Sequence, residues 1–386
     1  MKDTVKLLFE YIRSVVCEGD MPKLKDIDAS RLSVIYELSK LHDMAHIVGY
    51  ALEGVNLPEE CSEIKKAFSK QYMMAIYRYQ RLFYEYKRIC QTFEKNKIKY
   101  VPLKGSVIRP YYPKPWMRTS CDIDILIEES DIDRACEALV SELKYTSKGK
   151  TDYHDISLYA PGDVHLELHF SIKENWDRMD SVLETVWSHT YLHDGEYGFR
   201  QTDTFLLFHQ VTHAAYHFKS GGCGLRPALD MWLLRRSLNV DEVLFEKLLS
   251  EAGLSDFAKS IFALSDVWYS GEEHSEITAR MENYILGAGV YGNSENKIAA
   301  SARADRSRFG YMMYRIFMPY RELKAYYPIL KKHPILFPFC EVHRWFSILF
   351  SERRKHAIKE LKHSANLTDE KRDEVQYLLK NLGLKQ

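Results

Sequence analysis

The sequence predicts an α+β fold: a strand-rich stretch between about Lys97 and Ile172, set inside a chain that reads as helix on both sides. Three observations point there. Apolar residues recur at helical spacing up to Asn96, short apolar runs alternate with polar residues from Lys97 to Ile172, and the helical period returns after Asn175. The expected units are a helical region 1–96, an α/β core 97–175, a helical region 176–300 and a basic, aromatic-rich helical region 301–386.

In chain order, Val5, Leu8, Phe9, Ile12, Val15 and Val16 fall on one helical stripe, and Ile64 to Phe93 predicts a long amphipathic helix behind the break at Asn56-Leu57-Pro58. Ile98 to Leu103 reads as a strand running into Gly105, where the missing Cβ lets a backbone N–H approach a phosphate. Asp122 to Ile127 reads as a second strand. A helix follows from about Ser130 to Leu143, with Asp131 and Asp133 near its positive end. The segment from Asp152 to Ile172 alternates on both sides of Pro161-Gly162 and predicts a β-hairpin. Helices are expected over Asp203 to Lys219 and Leu225 to Ser237, joined by the glycine-rich 220–224, and a last capped helix over Thr368 to Leu382.

Chemistry concentrates in the strand-rich part. Side chains at i and i+2 of a strand share a face, so Asp122 and Asp124 project together while Ile123, Ile125 and Ile127 enter the core. Adjacent carboxylates repel and need a cation, most simply Mg²⁺, which prefers oxygen ligands and shares them with phosphates. On the second hairpin strand His165, Glu167 and His169 share one face, opposite Val164, Leu166, Leu168 and Phe170. Glu167 is thus available as a third acid if the hairpin lies beside Asp122 and Asp124; Asp155 and Asp163 are the fallback acids. Lys104, Gly105 and Ser106 are expected to hold phosphates by charge, amide and hydroxyl. Arg118, and more weakly Arg109, could grip a phosphate in two-point contact.

His209, His213 and His217 lie four apart on one helix face, a spacing that suits zinc, acceptor-pocket lining or ordinary packing among the aromatic residues there. Arg226 and Asp230, also four apart, suit an ion pair.

At 386 residues and 46% hydrophobic content the chain supports a packed core, and disorder is not the default. Lys+Arg and Asp+Glu both total 54, so no overall charge draws the protein to nucleic acid or membrane. Residues 303–363 are locally basic, with 14 Lys or Arg against 5 Asp or Glu, and interleave aromatics such as Tyr311 and Tyr314. Such a mixture can bind nucleic acid by phosphate contact and stacking, or simply form a helical tail, the favoured reading. Seven scattered cysteines without a Cys-x-x-Cys spacing favour reduced thiols over disulfides or zinc. With no bilayer-length apolar run and no signal-like start, a soluble cytoplasmic protein is expected.

Together, Leu103-Lys104-Gly105-Ser106, Arg118, Asp122-Ile123-Asp124-Ile125-Leu126 and Glu167-Leu168-His169 resemble the polymerase-β-type nucleotidyltransferase superfamily. Within it they are most similar to an uncharacterised bacterial nucleotidyltransferase family with a Leu-Lys-Gly loop. The resemblance runs from about Ser30 to about Phe350, through Ala45-His46, Gly224-Leu225-Arg226 with Asp230, Tyr327-Pro328, and Pro334 to Pro338. It implies a small mixed sheet with helices embedded in a largely helical chain. The implied reaction transfers a nucleoside monophosphate from a nucleoside triphosphate, such as ATP, to an acceptor hydroxyl, with two Mg²⁺ (or Mn²⁺) on Asp122, Asp124 and Glu167. His169, His213, His217, Arg226 and Asp230 are then candidates for the acceptor pocket. Alternatives are an inactive nucleotide- or protein-binding module of the same fold, and an RNA-directed enzyme. The chain departs from minimal members in one respect: Gly105 to Asp122 spans 17 positions (122 minus 105) and contains Pro110, Pro113 and Pro115.

Overall fold

A computed structural model describes residues 2–17, 19, 27–151, 154–290, 292–301, 317–318, 320–349 and 368–385. At its centre is a seven-stranded mixed sheet: β1 (Tyr100–Pro102), β2 (Asp122–Ile127), β3 (Thr146–Thr151), β4 (Asp155–Tyr159), β5 (His165–His169), β6 (Thr190–Asp194) and β7 (Gly198–Gln201), in the order β3-β4-β5-β2-β1-β7-β6. Strand β2 runs antiparallel to β1 and parallel to β5, with Asp124 opposite Glu167. The expected hairpin is β4–β5, closed around the turn at Pro161-Gly162 with Asp163 at φ 58°.

Helices cover both faces of the central strands. Leu82, Ile89 and Phe93 lie at spacings of seven and four on α1 (Ser62–Lys95), the expected long helix. They pack with Ala135 and Leu139 of α2 (Ile132–Leu143) against Ile123, Ile125, Ile127, Leu166 and Leu168. Each such buried aliphatic side chain contributes about 1.5–3 kcal/mol. The opposite face belongs to a larger apolar cluster in which Val101, Leu103 and Leu126 join the helical regions, including Phe205, Phe208 and Val211 of α3 (Asp203–Lys219). The N-terminal half of α1 carries Phe68 into that cluster. It packs on the 45–51 helix at Gly49, where a Cβ would stand 2.5 Å from the Phe68 carbonyl oxygen.

Three strands exceed the sequence reading. Strand β3 is polar, as suits the edge of a sheet. The β6–β7 hairpin lies where only helix was expected after Asn175, and it extends the sheet beyond the 97–175 boundary. The long segment between Gly105 and Asp122 folds as a short helix, Gly105–Ile108, and two 3-10 turns, Arg109–Tyr111 and Pro115–Met117, each with a proline near its start. Helix α4 (Arg226–Ser237) and the final helix Asp369–Asn381, capped by the Thr368 hydroxyl, match expectation within a residue. Much of the basic 303–363 stretch, with Tyr311 and Tyr314, lies outside the described residues. Among the described part, Leu323, Leu330 and Cys340 form a small buried cluster. Among the described residues, no helix is long and apolar enough to cross a membrane.

Candidate active site

Parallel pairing of β2 with β5 decides the geometry. Because Asp124 and Glu167 are register partners, Asp122, Asp124, His165, Glu167 and His169 all emerge on one face while the isoleucines and leucines between them fill the other. Asp122, His165 and Glu167 each bring a ligand atom within 4.8 Å of the other two, and so do Asp124, Glu167 and His169. Glu167 is thus common to both groups. Asp124 is 3% exposed, whereas the Glu167 side chain keeps 26% of its surface.

The two aspartates differ in their partners. Burial would raise the Asp124 pKa, but it accepts hydrogen bonds from Lys104 Nζ at 2.7 Å and from His169 Nε2 at 3.1 Å, and these hold its carboxyl well below the usual range. Burial, then Asp124 and Glu167, push Asp122 up to about 6 against the lowering by Lys104 and His165. Burial opposes the Lys104 charge, yet Asp124, Glu167 and Asp122 more than compensate and raise its pKa. Lys104 has φ 43°, in the left-handed region that side chains rarely adopt, and this turn carries its ammonium back over the carboxylates. Among the described residues, the buried Ser106 hydroxyl has no hydrogen-bond partner.

The family described as uncharacterised nucleotidyltransferase matches residues 28–270, nearly two thirds of the chain. The chain belongs to that family. No curated protein and no solved structure matches it. The match contains the whole sheet and every residue of the carboxylate face, and it ends short of the 327–338 prolines to which the resemblance was expected to reach.

Nucleotidyltransferases of this kind typically use Mg²⁺, and the face can hold it: each of its two ligand groups offers two carboxylates, hard oxygen donors, beside one histidine, and a cation would offset the burial and the neighbouring carboxylates that raise Asp122. Other expected site residues are placed differently. Arg118 is buried, and its Nε donates to both oxygens of Asp230 at 2.9 and 3.0 Å, so its guanidinium is committed away from a phosphate. Arg226 does not pair with Asp230. It donates to Asp43 at 3.2 Å and to the Thr119 carbonyl at 2.9 Å, because α4 turns Asp230 toward Arg118 and Tyr112 instead. Arg109 donates to the Arg118 carbonyl and the Ser120 hydroxyl. A Cβ on Gly105 would meet the Ser120 Oγ at 3.2 Å, so this glycine also serves close packing.

Among the histidines of α3, His209 turns to Gln201 at 3.1 Å, while His213 and His217 approach each other at 3.1 Å. The three form no metal-ligand cluster among the described residues. His213 Nδ1 lies 3.2 Å from Glu174, an acid the sequence reading did not single out. Burial, with Asp180 and Glu167, raises Glu174 to about 7 against the lowering by Lys104 and His169. Only its position, five residues beyond His169 at the end of β5, could have marked it. Asp155, a fallback acid, lies opposite His169 in the β4–β5 register, whereas Asp163 stays in the hairpin turn.

Proposed function

We propose that this chain transfers a nucleoside monophosphate from a nucleoside triphosphate to an acceptor hydroxyl and releases pyrophosphate. The observation that carries the reading is the register of β2 and β5, which sets Glu167 opposite Asp124 and on the same face as Asp122. In the reaction the acceptor oxygen forms a bond to the α-phosphorus, the bridging P–O bond to the β-phosphate breaks, and the hydroxyl proton passes to Glu167, which is more open than Asp124. Mg²⁺ held by Asp122, Asp124 and Glu167 would neutralise the triphosphate and acidify the attacking hydroxyl. Lys104 adds a positive charge beside those acids, and the Ser106 hydroxyl, without a hydrogen-bond partner among the described residues, would donate to a phosphate oxygen. His169 orients Asp124. The Glu174–His213–His217 chain supplies polar groups on the facing helix for an acceptor.

The test is pyrophosphate release with Mg²⁺, each of ATP, CTP, GTP and UTP, and a panel of hydroxyl acceptors. Asp122→Asn, Asp124→Asn and Glu167→Gln should each lower turnover by at least about a thousandfold, the scale of losing a group that acts only in the transition state. Full turnover in Asp124→Asn would overturn the assignment. Nucleotide binding without pyrophosphate for any acceptor would favour a binding module of the same fold.

A further inference from the structure

Beside the three carboxylates lies a second cluster of different chemistry. Asp155 on β4 faces His169 on β5 across the antiparallel pair, and His154 precedes Asp155. The three side chains each offer a ligand atom within 4.8 Å of the others. The His154 and His169 rings lie 5.6 Å apart at 17°, and His154 Nε2 is 3.1 Å from Asp155 Oδ2.

His169 supplies the independent observation. Its Nε2 faces carboxylate oxygens only, Asp124 at 3.1 Å and Glu167 at 3.5 Å, so that nitrogen carries the proton and donates. The residue is 3% exposed, and its buried Nδ1 has no hydrogen-bond partner among the described residues. An imidazole that donates one N–H to a carboxylate and keeps the other nitrogen for something else is the arrangement of a metal-ligating histidine with its supporting acid. Two imidazoles and one carboxylate form a borderline donor set that suits Zn²⁺ better than Mg²⁺, which prefers oxygen alone.

We propose that His154, Asp155 and His169 bind a transition-metal ion, Zn²⁺ or one of similar ligand preference, on the side of His169 away from Asp124 and Glu167. The ion fixes the His169 ring, and through it the orientation of Asp124. This site does not depend on nucleotidyl transfer, so it stands or falls apart from the proposed reaction.

The experiment is calorimetric titration of the full chain with Zn²⁺ in excess Mg²⁺, which competes for the carboxylates of Asp122, Asp124 and Glu167. One ion should bind wild type and Asp122→Asn with equal affinity, and at least about tenfold more weakly to His154→Gln and Asp155→Asn. X-ray absorption of zinc-loaded wild type, which needs no variant to fold, should show two imidazole nitrogens and oxygen. No uptake by wild type, sulfur at the zinc, undiminished affinity in both site variants, or loss in Asp122→Asn with retention in Asp155→Asn would each overturn the proposal.

Discussion

Asp122 and Asp124 are separated by one residue, yet their electrostatic situations are opposite, and stability should show it. Asp124 is held by a buried ammonium and an imidazole, so Asp124→Asn removes the partner of Lys104 and should cost the metal-free protein about 3 kcal/mol. Asp122 is charged at neutral pH against its surroundings. Its folded value of about 6 lies above the ordinary 3.8, so the folded state gains stability as pH falls from about 6 toward 3.8, and that gain is lost as pH rises through 6. Asp122→Asn should therefore stabilise the metal-free protein at pH 7, on the order of 1–2 kcal/mol after solvent screening. Glu174, raised to about 7, titrates with the same sign, so the Asp122 share is the wild-type minus variant difference. Urea unfolding of both variants from about pH 5 to about pH 8, across the titrations of Asp122 and Glu174, checks this. Equal effects of the two substitutions would contradict the pairing pattern. In the presence of Mg²⁺ the trend reverses: wild-type affinity should drop roughly tenfold per pH unit below about 6, because the ion needs the Asp122 carboxylate.

At the scale of elements, the β6–β7 hairpin is joined to the rest of the sheet through Gly198, opposite Tyr100 of β1. A Cβ there would lie 2.4 Å from the Asp194 carbonyl oxygen and 2.7 Å from the Tyr100 hydroxyl. Gly198→Ala must move backbone, and should cost about 1–3 kcal/mol in thermal or urea unfolding while leaving Mg²⁺ affinity unchanged. An unaltered midpoint would show that the hairpin is only loosely tied. This same hairpin shows where sequence legibility ended. Strands β2, β4 and β5 were readable because each must bury alternate apolar residues, and the long α1 because its stripe repeats over many turns. Strand β6 is largely exposed, so its composition carries no period, and the Asp194-Gly195 turn was the sole local cue. The three acids were readable for a related reason: a strand has only two faces, and an apolar strand leaves its carboxylates one choice. Glu174 and the cluster at His154 follow no period, since a loop and a cross-strand neighbour set them.

At the scale of the molecule, the long segment after Gly105 is where the helical regions grip the sheet. His46 lies 2.8 Å from the Met117 carbonyl oxygen, Thr119 Oγ1 donates to Asp43 at 2.6 Å, Arg226 reaches both Asp43 and Thr119, and Asp230 receives Tyr112 and Arg118. The flanking residues that first suggested family resemblance, His46, Arg226 and Asp230, thus converge on the 112–119 stretch. No local pattern exposes such pairs, because their partners lie 71 to 118 positions away. A clamp and an acceptor pocket make different predictions for Asp230→Ala. As a clamp, its loss leaves the buried Arg118 cation and Tyr112 hydroxyl without their shared acceptor and should cost about 3–5 kcal/mol in urea unfolding. The KM for nucleotide and for acceptor should then stay within about threefold of wild type, since a contact internal to the protein is lost equally from the free enzyme and from its substrate complex. As an acceptor contact, the substitution would instead leave the unfolding midpoint in place and raise the acceptor KM. The burial of Asp230 beneath two donors supports the clamp, and the paired measurement of midpoint and KM decides between them.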